Sequence, residues 1–173
     1  MNSTIHLQPL PQRGMSDIGR NIPEPESSAN EKLLFLRENM VHLTNQLSMP
    51  IIEVALVISK YIRIILDSLE RTAREEEEKL PDFLLKPIPN ESAQLEGVEG
   101  INSFPLEKLI ERVDRDRMDI LDTLVRTVIN ESELEFTSAL QELRDWEFEI
   151  RGQLSAVSSP GGLFSPLSLR EDF

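Results

Sequence analysis

The chain has 173 residues, a net charge of −13 at pH 7 and no cysteine. That length suits one modest domain. The charge argues against nucleic acid as a main partner, because phosphate binding needs clustered Lys and Arg. The missing cysteines exclude disulfides, thiol chemistry and the commonest zinc ligand. Aromatics are scarce, with one Trp and one Tyr, so the apolar content is largely aliphatic and suits helix packing. An acidic surface of this kind attracts a basic one on a partner protein.

Residues 1–29 read as a disordered tail. They hold Pro9, Pro11, Pro23 and Pro25 with Gly14 and Gly19, and show no apolar period. The opening MNSTIHLQPLPQRG has no continuous apolar run of the signal-peptide kind. With no disulfide pressure, the expected compartment is intracellular, cytoplasm or nucleus.

Residues 30–79 read as a helical hairpin or one kinked helix. Ser28 or Asn30 can cap its start, with Glu31 in the first turn. Leu33, Leu36, Met40, Leu43 and Leu47 then follow in 3-4-3-4 spacing, a coiled-coil-like seam just over two heptads long. Pro50 interrupts it, since an interior proline removes a hydrogen bond and clashes with the preceding turn. Either the helix kinks there, or Ser48 caps a new one with Pro50 in its first turn.

After Pro50 the apolar seam runs one residue out of step, through Ile58, Ile62 and Ile65. Twelve of the sixteen residues from Ile51 to Leu66 are apolar, the densest such run in the chain. Glu53, Lys60 and Arg63 fall on one narrow stripe, continued by Asp67, Glu70 and Arg74. A helix apolar over most of its circumference must be covered on several sides, so this one reads as the central helix of a bundle. It is shorter than the ~20 residues a membrane span requires and carries three charges. Glu75 to Glu78 oppose the macrodipole at its C-terminus, as a solvated end or as an acidic patch facing a basic partner.

Residues 80–104 read as a linker, broken by Pro81, Pro87 and Pro89 and loosened by Gly97 and Gly100. Phe83, Leu84, Leu85 and Ile88 form an apolar island in it, expected to fold back over the bundle or to dock on another protein. Residues 105–156 read as a long helix opened by Pro105. No Pro or Gly occurs from Leu106 to Arg151, so an unbroken helix would run about 70 Å. Its apolar face includes Leu121, Leu124, Phe136, Leu140, Leu143 and Trp146. Arg117 interrupts that face and is read as a register-setting group. A break near residue 130 is the alternative, because Asn130 with Glu133, or Ser132 with Glu135, fits a capping box. Residues 157–173 read as a flexible tail carrying Ser159-Pro160 and Ser165-Pro166.

The expected fold is thus all-α: an elongated, coiled-coil-like bundle of three to four helices with disordered N- and C-terminal tails. No catalytic, cofactor or metal constellation stands out. His6 and His42 are the only histidines, and neither has a partner at ligand spacing. The expected activity is non-enzymatic, that of a helical subunit or adaptor in a hetero-oligomer or homodimer, without a membrane span. The interface candidates are Leu33, Leu36, Met40, Leu43, Leu47, Ile58, Ile62, Ile65, Leu121, Leu124, Phe136, Leu140, Leu143 and Trp146. The alternative is a small acidic chaperone or regulatory protein that binds one basic or amphipathic client.

Overall fold

The structure is a computed structural model that describes residues 21–89 and 106–173. Among the described residues there are six α-helices and no strand. The all-α expectation holds, but the helix number exceeds the three to four expected. The expectations for residues 1–20 and 90–105 lie outside the described residues.

Helix α1 (Ala29–Gln46) begins at Ser28, whose Oγ accepts from Glu31 N at 3.2 Å. It ends in a Schellman motif: Ser48 N donates to Asn45 O at 3.1 Å and Met49 N to Thr44 O at 3.0 Å. Ser48 therefore ends the first helix, at φ 46°, and does not cap the second. Pro50 stands directly before α2 (Ile51–Glu75), where its missing N–H costs nothing. The chain turns sharply here, so the kinked-rod alternative does not hold.

Helix α2 ends in the same way, with Glu77 at φ 57°. The single turn α3 (Asp82–Leu85) follows it. Leu84 is buried, and Arg144 Nη2 donates to its carbonyl at 3.0 Å. Arg151 Nη1 donates to the Ile88 carbonyl at 2.7 Å. The apolar island is thus strapped across α6, although Phe83 faces water.

The stretch expected as one long helix is three: α4 (Leu106–Arg112), α5 (Arg115–Glu131) and α6 (Phe136–Ser155). Asp114 starts α5, its side chain accepting from Arg117 N at 3.1 Å. The break after α5 is made from the C-terminal side. Ser132 Oγ donates to Val128 O at 2.6 Å, Glu133 takes φ 52°, and Leu134 N donates to Ile129 O at 3.0 Å. Neither capping box forms, for no side chain caps α6.

The main pairings are α2 with α6, α1 with α5, α2 with α5, and α1 with α6. Helices joined by a turn, α1 with α2 and α5 with α6, touch each other less. Two hairpins therefore interlock, and each inserts between the arms of the other. Their buried positions correspond at one constant offset. Leu36, Met40, Thr44 and Met49 match Leu121, Val125, Ile129 and Leu134. Val54, Ile58, Tyr61 and Ile65 match Ala139, Leu143, Trp146 and Ile150. Ser48 and Glu133, the two left-handed turn residues, match as well.

The most enclosed helix is α6, not α2. From Glu142 to Ser155 no residue of α6 is exposed, whereas α2 shows Ser59, Lys60, Arg63, Ile64 and Asp67 to solvent. Two chain segments outside the bundle add to the cover of α6, the second of them shared with the start of α2. One is the strap at 82–88. The other is the 157–173 segment, expected as a flexible tail. It forms a 3-10 turn (Pro160–Phe164) and packs Leu163 and Leu167 inward. It turns at Gly162, where a Cβ would stand 2.8 Å from Val157 Cγ1.

Left-handed backbone costs an L-residue about 1–2 kcal/mol, while glycine's extra unfolded-state freedom costs roughly 0.5–1. Ser48→Gly and Glu133→Gly, both at exposed positions, should therefore each stabilise the fold by about 0.5–1 kcal/mol. Urea unfolding checks this, and a lower midpoint in either variant contradicts it.

Candidate interaction surfaces

Three polar junctions fix how the helices meet. The first joins α2 to α5. Glu53 is fully buried, and Arg117 grips its carboxylate bidentately, Nε to Oε1 at 2.7 Å and Nη2 to Oε2 at 2.6 Å. This hydrogen bonding raises the Arg117 pKa above its ordinary value despite partial burial. Arg117 does meet a fixed partner across the seam, consistent with a register role. Glu53, expected on the polar stripe of α2, belongs to the core.

The second junction also joins α2 to α5. Asp122 pairs with Lys60, and Tyr61 OH donates to Asp122 Oδ1 at 2.7 Å and to the Asp122 carbonyl at 3.0 Å. Burial, then the hydrogen bond to Asp122, pushes the Tyr61 phenol well above its usual range. Burial pushes the Asp122 carboxyl up, but the Lys60 and Tyr61 hydrogen bonds outweigh it and hold the carboxyl below its usual value.

A depressed carboxyl stabilises the fold above its unfolded pKa of about 3.9, and that contribution is lost as pH falls through the lower folded value. Asp122→Asn keeps an acceptor for Tyr61 and loses the charge. Lys60 is half-exposed, so the expected cost near pH 7 is only about 1–2 kcal/mol. The gap between wild type and variant should close as urea midpoints are taken from pH 6 down to pH 2. A gap that stays constant contradicts the assignment.

The third junction joins α1 to α6. Arg37 donates to Glu142 Oε1 at 2.7 Å and Oε2 at 2.9 Å, and to Asp145 Oδ2 at 2.8 Å. Trp146 Nε1 donates to the same Glu142 Oε1 at 3.1 Å. At the constant offset, Arg37 and Asp145 match Asp122 and Lys60, so the two ion pairs are equivalent with their charges exchanged.

Of the interface candidates, Leu36, Met40, Ile58, Ile62, Ile65, Leu121, Leu124, Leu140, Leu143 and Trp146 are buried in the chain's own core. Leu33, Leu43 and Leu47 are partly buried against it, and Phe136 is exposed. The apolar excess expected from the sequence is mostly hidden within the chain. Asp122 and Arg126 stand at i,i+4 on α5, 3.9 Å apart, whereas Glu147 and Arg151 on α6 do not pair. Arg151 bonds the strap in place of Glu147, and Glu147 pairs with Arg144 at 2.9 Å. His42 is exposed, and no group of His, Asp and Glu among the described residues could hold a metal ion. No helix among them is long and apolar enough to cross a membrane.

Leu34, Ile64, Ile110 and Phe136 are exposed singly on other helices, whereas Phe83 and Leu85 lie together beyond the end of α2. Phe83 is 63 % exposed on α3, beside the buried Leu84 and the half-exposed Leu85. Next to it lies an open cavity of about 400 Å³ with Ala73, Leu80 and Leu85 in its wall and Glu70, Arg74, Glu78, Lys79 and Asp82 as its charged residues. Glu75 to Glu78 are all exposed around this corner. The acidic run and the apolar island, separate features in the sequence reading, thus form one surface. Proximity of residues 75–78 to 82–85 in the chain was the available signal. No protein-family model, curated protein or solved structure matches the chain.

Proposed function

We propose that this chain is a non-enzymatic helical subunit or adaptor of a protein assembly, acting through the corner formed by the end of α2 and by α3. The supporting observation is Phe83. A large apolar ring is held in water by a short helix that is itself anchored through Leu84 and Arg144. An exposed aromatic on an anchored turn, beside a cavity with an apolar wall and a charged rim, has the anatomy of a binding hot spot. The basic or amphipathic character expected of the partner follows from Glu75 to Glu78.

Phe83→Asp should abolish capture of the partner from native cells, identified by mass spectrometry, while the melting midpoint moves little. A monodisperse monomer by light scattering, with no captured protein, would sink the reading. The second reading, an acidic chaperone or regulator of one client, is favoured by the exposed acidic run. Charge reversal at Glu75 to Glu78 abolishes client binding under that reading, and leaves an assembly held by Phe83 largely intact.

A further inference from the structure

Residues 163–173 are held on the bundle as a bound peptide is held. Their backbone is read at four groups. Ile51 N donates to Ser165 O at 2.8 Å, and Leu167 N donates to Met49 O at 2.9 Å, an isolated antiparallel bridge between Pro50 and Pro166. The Gln153 amide completes the set, its Nε2 donating to Pro166 O at 3.0 Å and its Oε1 accepting from Ser168 N at 2.9 Å. Main-chain pairing of this kind supplies affinity in peptide recognition, and side-chain pockets supply specificity.

The side chains of the segment fill such positions. Leu163 and Leu167 are buried, and Leu169 packs on the core. Arg170 Nε lies 2.6 Å from Glu149 Oε1. The Phe173 ring meets Trp146 edge-on at 5.1 Å, with the Arg37 guanidinium 4.5 Å from its centroid. The segment is joined in sequence to α6 by residues 156–162.

We infer that the groove between α6 and the α1–α2 turn is a peptide-binding site, with residues 163–173 as its resident ligand. The partner it fits is a segment of the pattern Leu-x-x-x-Leu-x-Leu-Arg-x-x-Phe, which enters when the resident leaves. The arginine of that pattern suits Glu149, which lines a cavity of about 270 Å³ together with Phe148 and the paired Arg37 and Asp145. The short tether gives the resident an effective concentration on the order of mM, so individually weak contacts keep the site filled. Loss of one anchor should then shift the balance toward a ligand added in trans.

The test titrates a dye-labelled peptide of residues 160–173 into the full chain, wild type and Phe173→Ala, by fluorescence anisotropy. Phe173→Ala should bind the peptide at least tenfold tighter than wild type. Its Trp146 emission should shift to the red and return when peptide is added. Adding Gln153→Ala should cost at least tenfold in that affinity. Equal affinity for wild type and Phe173→Ala overturns the inference, as does unchanged Trp146 emission. Collapse of the helical signal in Phe173→Ala overturns it too, for the segment would then be core and not ligand. The inference rests on the reading of the chain as a binding protein, and the two fail separately. Partner capture through Phe83 without peptide binding sinks only the groove. Peptide binding with no captured partner sinks only the assembly reading.

Discussion

Trp146→Ala should lower the unfolding free energy by about 3–5 kcal/mol, the usual cost of truncating a buried aromatic. Trp146 is fully enclosed, on the most covered helix of the fold. Its removal leaves a cavity that α1, α2 and the 163–173 segment would have to close from three sides. It also takes a hydrogen bond from Glu142 and the edge contact from Phe173. Trp146→Phe keeps most of the apolar volume and should cost about half as much. Urea unfolding followed by far-ultraviolet circular dichroism reads both, since the fluorophore itself is gone. A loss under about 1 kcal/mol for the alanine variant would mean that the site collapses freely, contrary to close packing.

Arg117→Ala should be about as severe, at roughly 3–5 kcal/mol, because it leaves the buried Glu53 carboxylate with no counter-charge. The reverse change is expected to be milder. Arg117 is 28 % exposed along its side chain while Glu53 is 0 %, so a widowed guanidinium reaches water and a widowed carboxylate does not. Glu53→Leu should therefore cost less than Arg117→Ala. The double variant Glu53→Leu with Arg117→Met replaces an ion pair by packing, and should return near wild-type stability. The cycle has a clear failing result. If Glu53→Leu proves the costlier single change, burial of the carboxylate is not what makes the pair matter.

Both effects turn on contacts between segments remote in sequence, and this marks where sequence reasoning stops. Pro50 announced an interruption, because a missing N–H and a fixed φ act locally, but not whether the chain would kink or turn. The turn at Glu133 was open as an alternative, through capping-box patterns that do not form. Its left-handed residue is neither Gly nor Asn, and what holds it there is the burial of Ile129 and Leu134 on either side. The 3-4 seam of α1 was legible, but its owner was not. Leu36 and Met40 face α5 and α6 of the same chain, where a partner helix was expected.

The tail shows the same limit. Residues 157–173 have the composition of a loose end, with Ser, Pro and Gly clustered. Composition measures how much apolar area a segment can bury by itself, not whether a groove awaits it. Leu163, Leu167 and Phe173 are too few for a core, yet sufficient once α6 presents Trp146 and Gln153. Phe83 is the converse case: it read as one residue of an apolar island, and only the docking of Leu84 turned it outward.

By itself, then, the sequence determined the helical class, the break at Pro50, the apolar faces and the acidity. Each of these follows from local periodicity, local backbone chemistry or a sum over residues. The tertiary structure decided which apolar faces cover one another, which helix is central, and which charges are buried as pairs. It also decided which apolar residues remain for others to bind. Those outcomes depend on the interlocking of two hairpins, and the side-chain pattern of either hairpin is equally satisfied by a partner from another molecule.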